Sequence, residues 1–108
     1  MVEVELWITP RDLARIGSYM LATLKSRDVA CVAQFLDDAM KPKLKTLWEA
    51  KGYGYQLWTD TRGLPQAIGH GGQMLSIDRS RSRIMVVFSA KSNYLGAQRS
   101  FHTWLDPQ

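Results

Sequence analysis

The chain has one cysteine, two histidines and no long apolar run. A lone thiol, Cys31, excludes an internal disulfide and any cysteine-based metal site. With His70 and His102 the only imidazoles, a structural zinc site is not expected. Cys31 lies in the apolar stretch Val29-Ala30-Cys31-Val32-Ala33. It reads as a small buried hydrophobe, because a catalytic thiol needs an ordered base and the sequence suggests none. No apolar run nears the ~18 residues needed to cross a bilayer. No positively charged N-region followed by an apolar stretch is present, so neither a signal peptide nor a membrane span is expected, and location stays open.

What is there suits one folded domain over 1–108. The 108 residues are 45% hydrophobic and 22% charged, with four Trp, four Tyr and three Phe for a core. The net charge of +4 permits an acidic partner. Basic residues are spread along the chain except at Arg79-Ser80-Arg81-Ser82-Arg83. That run falls where a hairpin turn is expected and has no aromatic platform beside it, which favours a solvated turn over nucleic acid. Asp37-Asp38 has no further ligand at metal-binding spacing and is expected on an exposed helix face.

Thr9-Pro10-Arg11-Asp12 carries helix-start signals: an N-cap hydroxyl, proline in the first turn and a capping-box acid. Leu13, Ile16, Met20, Leu21 and Leu24 then keep helical spacing, which predicts a helix over 10–25. Gly17 in its middle costs about 1 kcal/mol against alanine, a reason to expect a close helix crossing there. A weaker pattern predicts a helix over 31–40, stopped at Pro42. Leu44 to Ala50 reads as a short helix. The character changes at Gly52, since six of the eight glycines lie between 52 and 72. Tyr53 to Thr59 alternates and reads as a strand. Gln66 to Asp78 reads as a second, interrupted by glycine. Ile84 to Phe88 is a continuous apolar run, as in a strand covered on both faces. Ser92 or Asn93 caps a closing helix. The expected fold is α+β, an antiparallel three-stranded meander with N-terminal and C-terminal helices packed on it.

Glycine inside a strand often marks close approach of a ligand or another backbone. Ala67-Ile68-Gly69-His70-Gly71-Gly72-Gln73 joins small residues to one imidazole, next in the chain to an aromatic strand. Such a strand can offer backbone N–H groups to a developing oxyanion.

Three segments resemble the serine hydrolases related to class C β-lactamases and penicillin-binding proteins, close to the esterase and 6-aminohexanoate-dimer hydrolase branch. They are Leu6-Trp7-Ile8-Thr9-Pro10-Arg11-Asp12-Leu13-Ala14-Arg15-Ile16-Gly17, then Tyr53-Gly54-Tyr55-Gln56-Leu57-Trp58, then Ile68-Gly69-His70-Gly71-Gly72-Gln73 leading to Ile77-Asp78 and Ile84-Met85-Val86-Val87. They stand in family order and cover most of residues 6–90. The resemblance implies a larger β-lactamase-like fold and an acyl-enzyme mechanism on esters or amides, without metal or cofactor. In that mechanism a Ser-x-x-Lys serine attacks, a Tyr-x-Asn-like tyrosine helps move protons, and a Lys-Thr-Gly-type strand supplies an oxyanion N–H. This chain has neither Ser-x-x-Lys nor Tyr-x-Asn. Only the third element carries over. His70-Gly71-Gly72 takes the place of Lys-Thr-Gly, while an alignment on the later strand puts the oxyanion position at Ala67 or Ile68. Ile68 is favoured for the N–H, with His70 nearby. Trp58, Tyr55, Gly71, Gly72 and Gln73 are the expected pocket residues. Family members are several times longer, so Met1 reads as an internal methionine or the start of a truncated frame. The expectation is a closing segment inactive alone, with a small-molecule ester or amide as the whole protein's substrate and no metal or membrane partner. An unpaired Ile84–Phe88 edge open to self-association is expected with it. The alternative is a small basic α+β module that binds nucleic acid or a protein. His102 is expected as a surface or packing residue.

Overall fold

A computed structural model of the chain describes residues 8–45, 52–54, 57–69, 73–89 and 93–106. Three helices, α1 (Pro10–Ser26), α2 (Ala30–Met40) and α3 (Tyr94–Leu105), accompany six strands. The strands are β1 (Leu44–Lys45), β2 (Gly52–Tyr53), β3 (Trp58–Thr59), β4 (Pro65–Gly69), β5 (Gln73–Asp78) and β6 (Arg83–Val87). They form one antiparallel sheet in chain order. The α+β class holds, but the sheet has six strands among the described residues where three were expected. The stretch expected as one strand over 53–59 is a hairpin, with Tyr53 opposite Trp58. The stretch over 66–78 is another, with Gly69 opposite Gln73. Gly69 ends β4 there, and Gly71 and Gly72 lie outside the described residues.

The expected helix at Leu44 is instead β1, paired with β2, because a cross-strand partner overrides the helical preference of Leu and Lys. Residues 46–50 of that expectation lie outside the described residues. α1 starts as its signals predict: the Thr9 side chain accepts from the Asp12 N–H at 3.1 Å. α3 is capped by Asn93, whose side chain accepts from Gly96 N–H at 3.0 Å.

Alternation sorts β5 between two faces. Leu75 and Ile77 face α1 and α2, in a core with Leu24, Leu36, Ala39, Met40 and Leu57. The expected crossing at Gly17 is helix on sheet: a Cβ there would meet the Leu75 and Ile84 side chains at 3.0 and 3.2 Å. Met74, Ser76 and Asp78 point to the opposite face, where α3 packs on β5 and β6. α1 and α3 both contact β6, but the full cover expected of the run Ile84–Phe88 is not reached: Phe88 lies past the strand and is exposed. β6 is the last strand of the sheet and stays half-exposed.

Cys31 departs from expectation. It is exposed, because α2 buries the stripe Ala33, Leu36, Ala39 and Met40, and position 31 falls off it. No described helix is long and apolar enough to cross a membrane.

Candidate functional site

Of the expected site residues, Trp58, Ile68 and Gln73 are described, and they fall on β3, β4 and β5. Trp58 lies opposite Gln66 and Ile68 opposite Met74. Trp58 and Ile68 are therefore diagonal neighbours on one face, both half-buried. Gln73 lies opposite Gly69, one residue on from Ile68, and so belongs to the other face. Its side chain crowds Gly69, where a Cβ would stand 3.1 Å from Gln73 Oε1. Tyr55, His70, Gly71 and Gly72 lie outside the described residues.

The ladder between β3 and β4 ends at Gln66. Ala67, Ile68 and Gly69 run on with a strand partner on the β5 side alone among the described residues. A backbone edge of this kind can present amide N–H groups to a ligand. The Tyr94 hydroxyl, at the start of α3, donates a short hydrogen bond to the Gly69 carbonyl and so anchors the end of β4.

Beneath α3 lies a polar row that the sequence did not announce. Asp60, Gln66, Ser76, Asp78, Gln98 and His102 are all buried. Asp60 Oδ1 accepts from the backbone N–H of Arg62 at 2.9 Å and of Leu64 at 2.8 Å, which shapes the β3–β4 turn. Its Oδ2 lies 2.7 Å from His102 Nε2, tying that turn to α3. His102 is the packing residue expected, with a carboxylate partner 42 residues away. Gln98 Oε1 accepts from Thr61 N–H at 3.2 Å beside it. Ser76 Oγ and Gln66 Oε1 are buried without a hydrogen-bond partner among the described residues. Among the described residues the Asp60–His102 pair joins the β3–β4 turn to α3, and no hydroxyl hydrogen-bonds to it.

The arginine run proves to be engaged within the chain. Arg79 pairs with Asp37 at 2.9 Å, and Arg27 at the end of α1 pairs with the same carboxylate at 2.7 Å. Asp37 thus does more than decorate a helix. Its pKa is held below the usual range by the Arg27 hydrogen bond, against the pull of burial, with the charges of Arg27 and Arg79 adding to the effect. Arg81 bridges Asp78 at 2.9 Å and Asp106 at 2.5 Å. Arg83 lies over the Trp104 ring, 4.7 Å from its centroid. Burial pushes Asp78 up, but hydrogen bonds from Ser80 and Arg81 more than reverse it, and the carboxyl titrates low.

A cleft of about 300 Å³ opens between the end of α2 and the β3–β4 and β5–β6 turns, lined by Lys41, Leu64, Pro65, Asp78 and Arg79 among others. It sits at the Pro65 end of β4, and Trp58, Ile68 and Gln73 do not line it. No group of three or more His, Cys, Asp or Glu side chains suited to a metal occurs among the described residues. Comparison of the chain with protein families, with curated proteins and with solved structures finds no match.

Proposed function

We propose that this chain is the closing segment of a β-lactamase-related serine hydrolase that cleaves esters or amides through an acyl-enzyme. Its part is the oxyanion-side strand, and the nucleophile comes from a segment bearing Ser-x-x-Lys. The observation that carries the reading is the end of β4. Ala67–Gly69 outruns β3, keeps a strand partner on one side alone among the described residues, and stands within the segment whose sequence resembles the family's pocket strand. In this reading Ile68 N–H faces the developing oxyanion, His70 stands beside it, and Trp58 flanks the substrate on the face it shares with Ile68. Tyr55, Gly71, Gly72 and Gln73 complete this wall. The larger β-lactamase-like fold, and the ester or amide substrate, belong to the whole protein. No metal or cofactor enters.

Two measurements test it. The purified chain is expected to leave p-nitrophenyl acetate and nitrocefin at the uncatalysed rate, and turnover abolished by a single Ser→Ala change would overturn the reading. The DNA upstream of the Met1 codon is expected to encode an in-frame Ser-x-x-Lys followed by Tyr-x-Asn, and a stop codon there without either motif would also overturn it. The basic-module alternative gains nothing from Arg79, Arg81 and Arg83, since each is engaged within the chain.

A further inference from the structure

The cleft between the end of α2 and the β3–β4 and β5–β6 turns plays no part in the hydrolase reading. Its volume of about 300 Å³ stands at the lower end of the range for small-molecule sites. Met40, Leu64 and Pro65 give it an apolar wall, while Lys41, Arg79 and two aspartates bring charge. Both walls are set before any ligand arrives. Met40 belongs to the core cluster, and Asp60 Oδ1 fixes the β3–β4 turn through the Leu64 N–H at 2.8 Å. Asp78 Oδ1 fixes the β5–β6 turn through the Ser80 N–H at 3.0 Å. Preformed walls lower the ordering cost of binding.

The carboxylates in the cleft are already matched. Asp37 meets Arg79 through Oδ1 at 2.9 Å and Arg27 through Oδ2 at 2.7 Å. Asp78 Oδ1 also takes the Ser80 hydroxyl at 2.7 Å, and its Oδ2 takes the Arg81 guanidinium at 2.9 Å. A bound cation would have to displace an arginine from one of them. The positive groups are in surplus instead. Two guanidiniums share the single charge of Asp37. Lys41 stands 4.0 Å from Asp38, at the limit of an ion pair, and its side chain is 67% exposed. Asp38 also accepts from Gln34 at 3.3 Å. Arg79 meets Asp37 through Nη1, and a guanidinium carries five N–H donors, so it can serve a second carboxylate. We infer that the cleft binds a small organic monoanion, a carboxylate on an apolar body. Lys41 and Arg79 hold the carboxylate, and Leu64 and Pro65 take the body. The C-terminal dipole of α2 opposes an anion there, which keeps the affinity modest. This inference does not rest on the hydrolase reading, and its failure would leave that reading untouched.

Benzoate, benzamide, benzylamine and inorganic phosphate separate charge from body in amide NMR titrations of the whole chain. Benzoate is expected to shift the Lys41, Leu64, Arg79 and Ser80 amides together and to saturate, with a dissociation constant on the order of 1 mM. Neutral benzamide and cationic benzylamine are expected to leave those amides in place at the same concentrations. Phosphate, which has the charge without the body, is expected to bind more weakly than benzoate. Lys41→Gln removes one cation and spares the tie between Arg79 and Asp37. It is expected to weaken benzoate about 2–5-fold with unchanged far-UV circular dichroism. Benzoate shifts that never saturate, or that fall away from the cleft, would overturn the proposal. So would benzylamine binding as tightly as benzoate, or a Lys41→Gln chain that binds benzoate as the wild type does. Phosphate binding as tightly as benzoate would overturn it in favour of a plain inorganic-anion site.

Discussion

At the scale of single residues, close contacts decide more than composition does. A Cβ at Gly54 would stand 2.2 Å from the Ala39 carbonyl oxygen and 2.6 Å from that of Lys41. Gly54 is where the β2–β3 hairpin meets the backbone at the end of α2, and a backbone cannot retreat as a side-chain tip can. Gly54→Ala is therefore expected to cost about 1–3 kcal/mol, read as a lower urea midpoint. His102 and Ser76 make an informative pair because both are buried and polar. His102→Ala strips Asp60 of a 2.7 Å partner and leaves a buried carboxylate partly unmet, for an expected loss of about 2–3 kcal/mol. Ser76→Ala removes a hydroxyl that bonds to nothing among the described residues, so the change is expected to be neutral or to gain up to about 1 kcal/mol. Equal losses for the two would mean that Ser76 has a partner.

At the scale of elements, ion pairs join pieces that the core alone leaves separate. Asp37 on α2 holds Arg27 after α1 and Arg79 in the β5–β6 turn, while Asp78 ends β5 and shapes the same turn. Both carboxyls titrate below their ordinary value of 3.8 in the folded chain. A depressed folded pKa contributes stability that is present above the ordinary value and lost as pH falls through the folded one. Thermal midpoints are therefore expected to hold between about pH 7 and pH 5 and to fall below about pH 4. Asp37→Asn should flatten that acid limb, and an acid limb identical to wild type would count against the role given to Asp37. The elements also differ in how legible they were. α1 and α3 carry their own punctuation in Thr9, Pro10 and Asn93, and the 79–83 turn follows from its polar run. A glycine looks the same in sequence at a bulge and at a reversal, so pattern alone predicts a single strand where each hairpin lies. β1 was missed because two residues have no period. In the candidate site, Trp58, Ile68 and Gln73 rest on the family resemblance, and their distribution over two faces depends on a register that local pattern does not fix. The Asp60–His102 contact spans 42 positions and leaves no local trace.

At the scale of the whole molecule, a net charge of +4 says less about partners than it promises. Arg27, Arg62, Arg79 and Arg81 are each bound to a carboxylate of the chain itself. A fluorescence titration with duplex DNA or single-stranded RNA at ~50 mM salt is accordingly expected to be flat. Salt-sensitive binding lost on replacing Arg79, Arg81 and Arg83 would restore the basic-module reading.

α3 is pinned at both ends, by Tyr94 on Gly69 at its start and by Arg62 and Arg81 on Asp106 at its close. Between those pins it covers two acceptors left unmet among the described residues, Gln66 Oε1 and Ser76 Oγ. Lifting α3 exposes Phe101 and Leu105, which costs free energy, and hydrates those two atoms, which recovers part of it. The two sides of the sheet should therefore breathe unequally. Native-state hydrogen exchange is expected to release the α3 amides together, at a lower opening free energy than those of α1 and β5, so that the molecule loosens first on its α3 side.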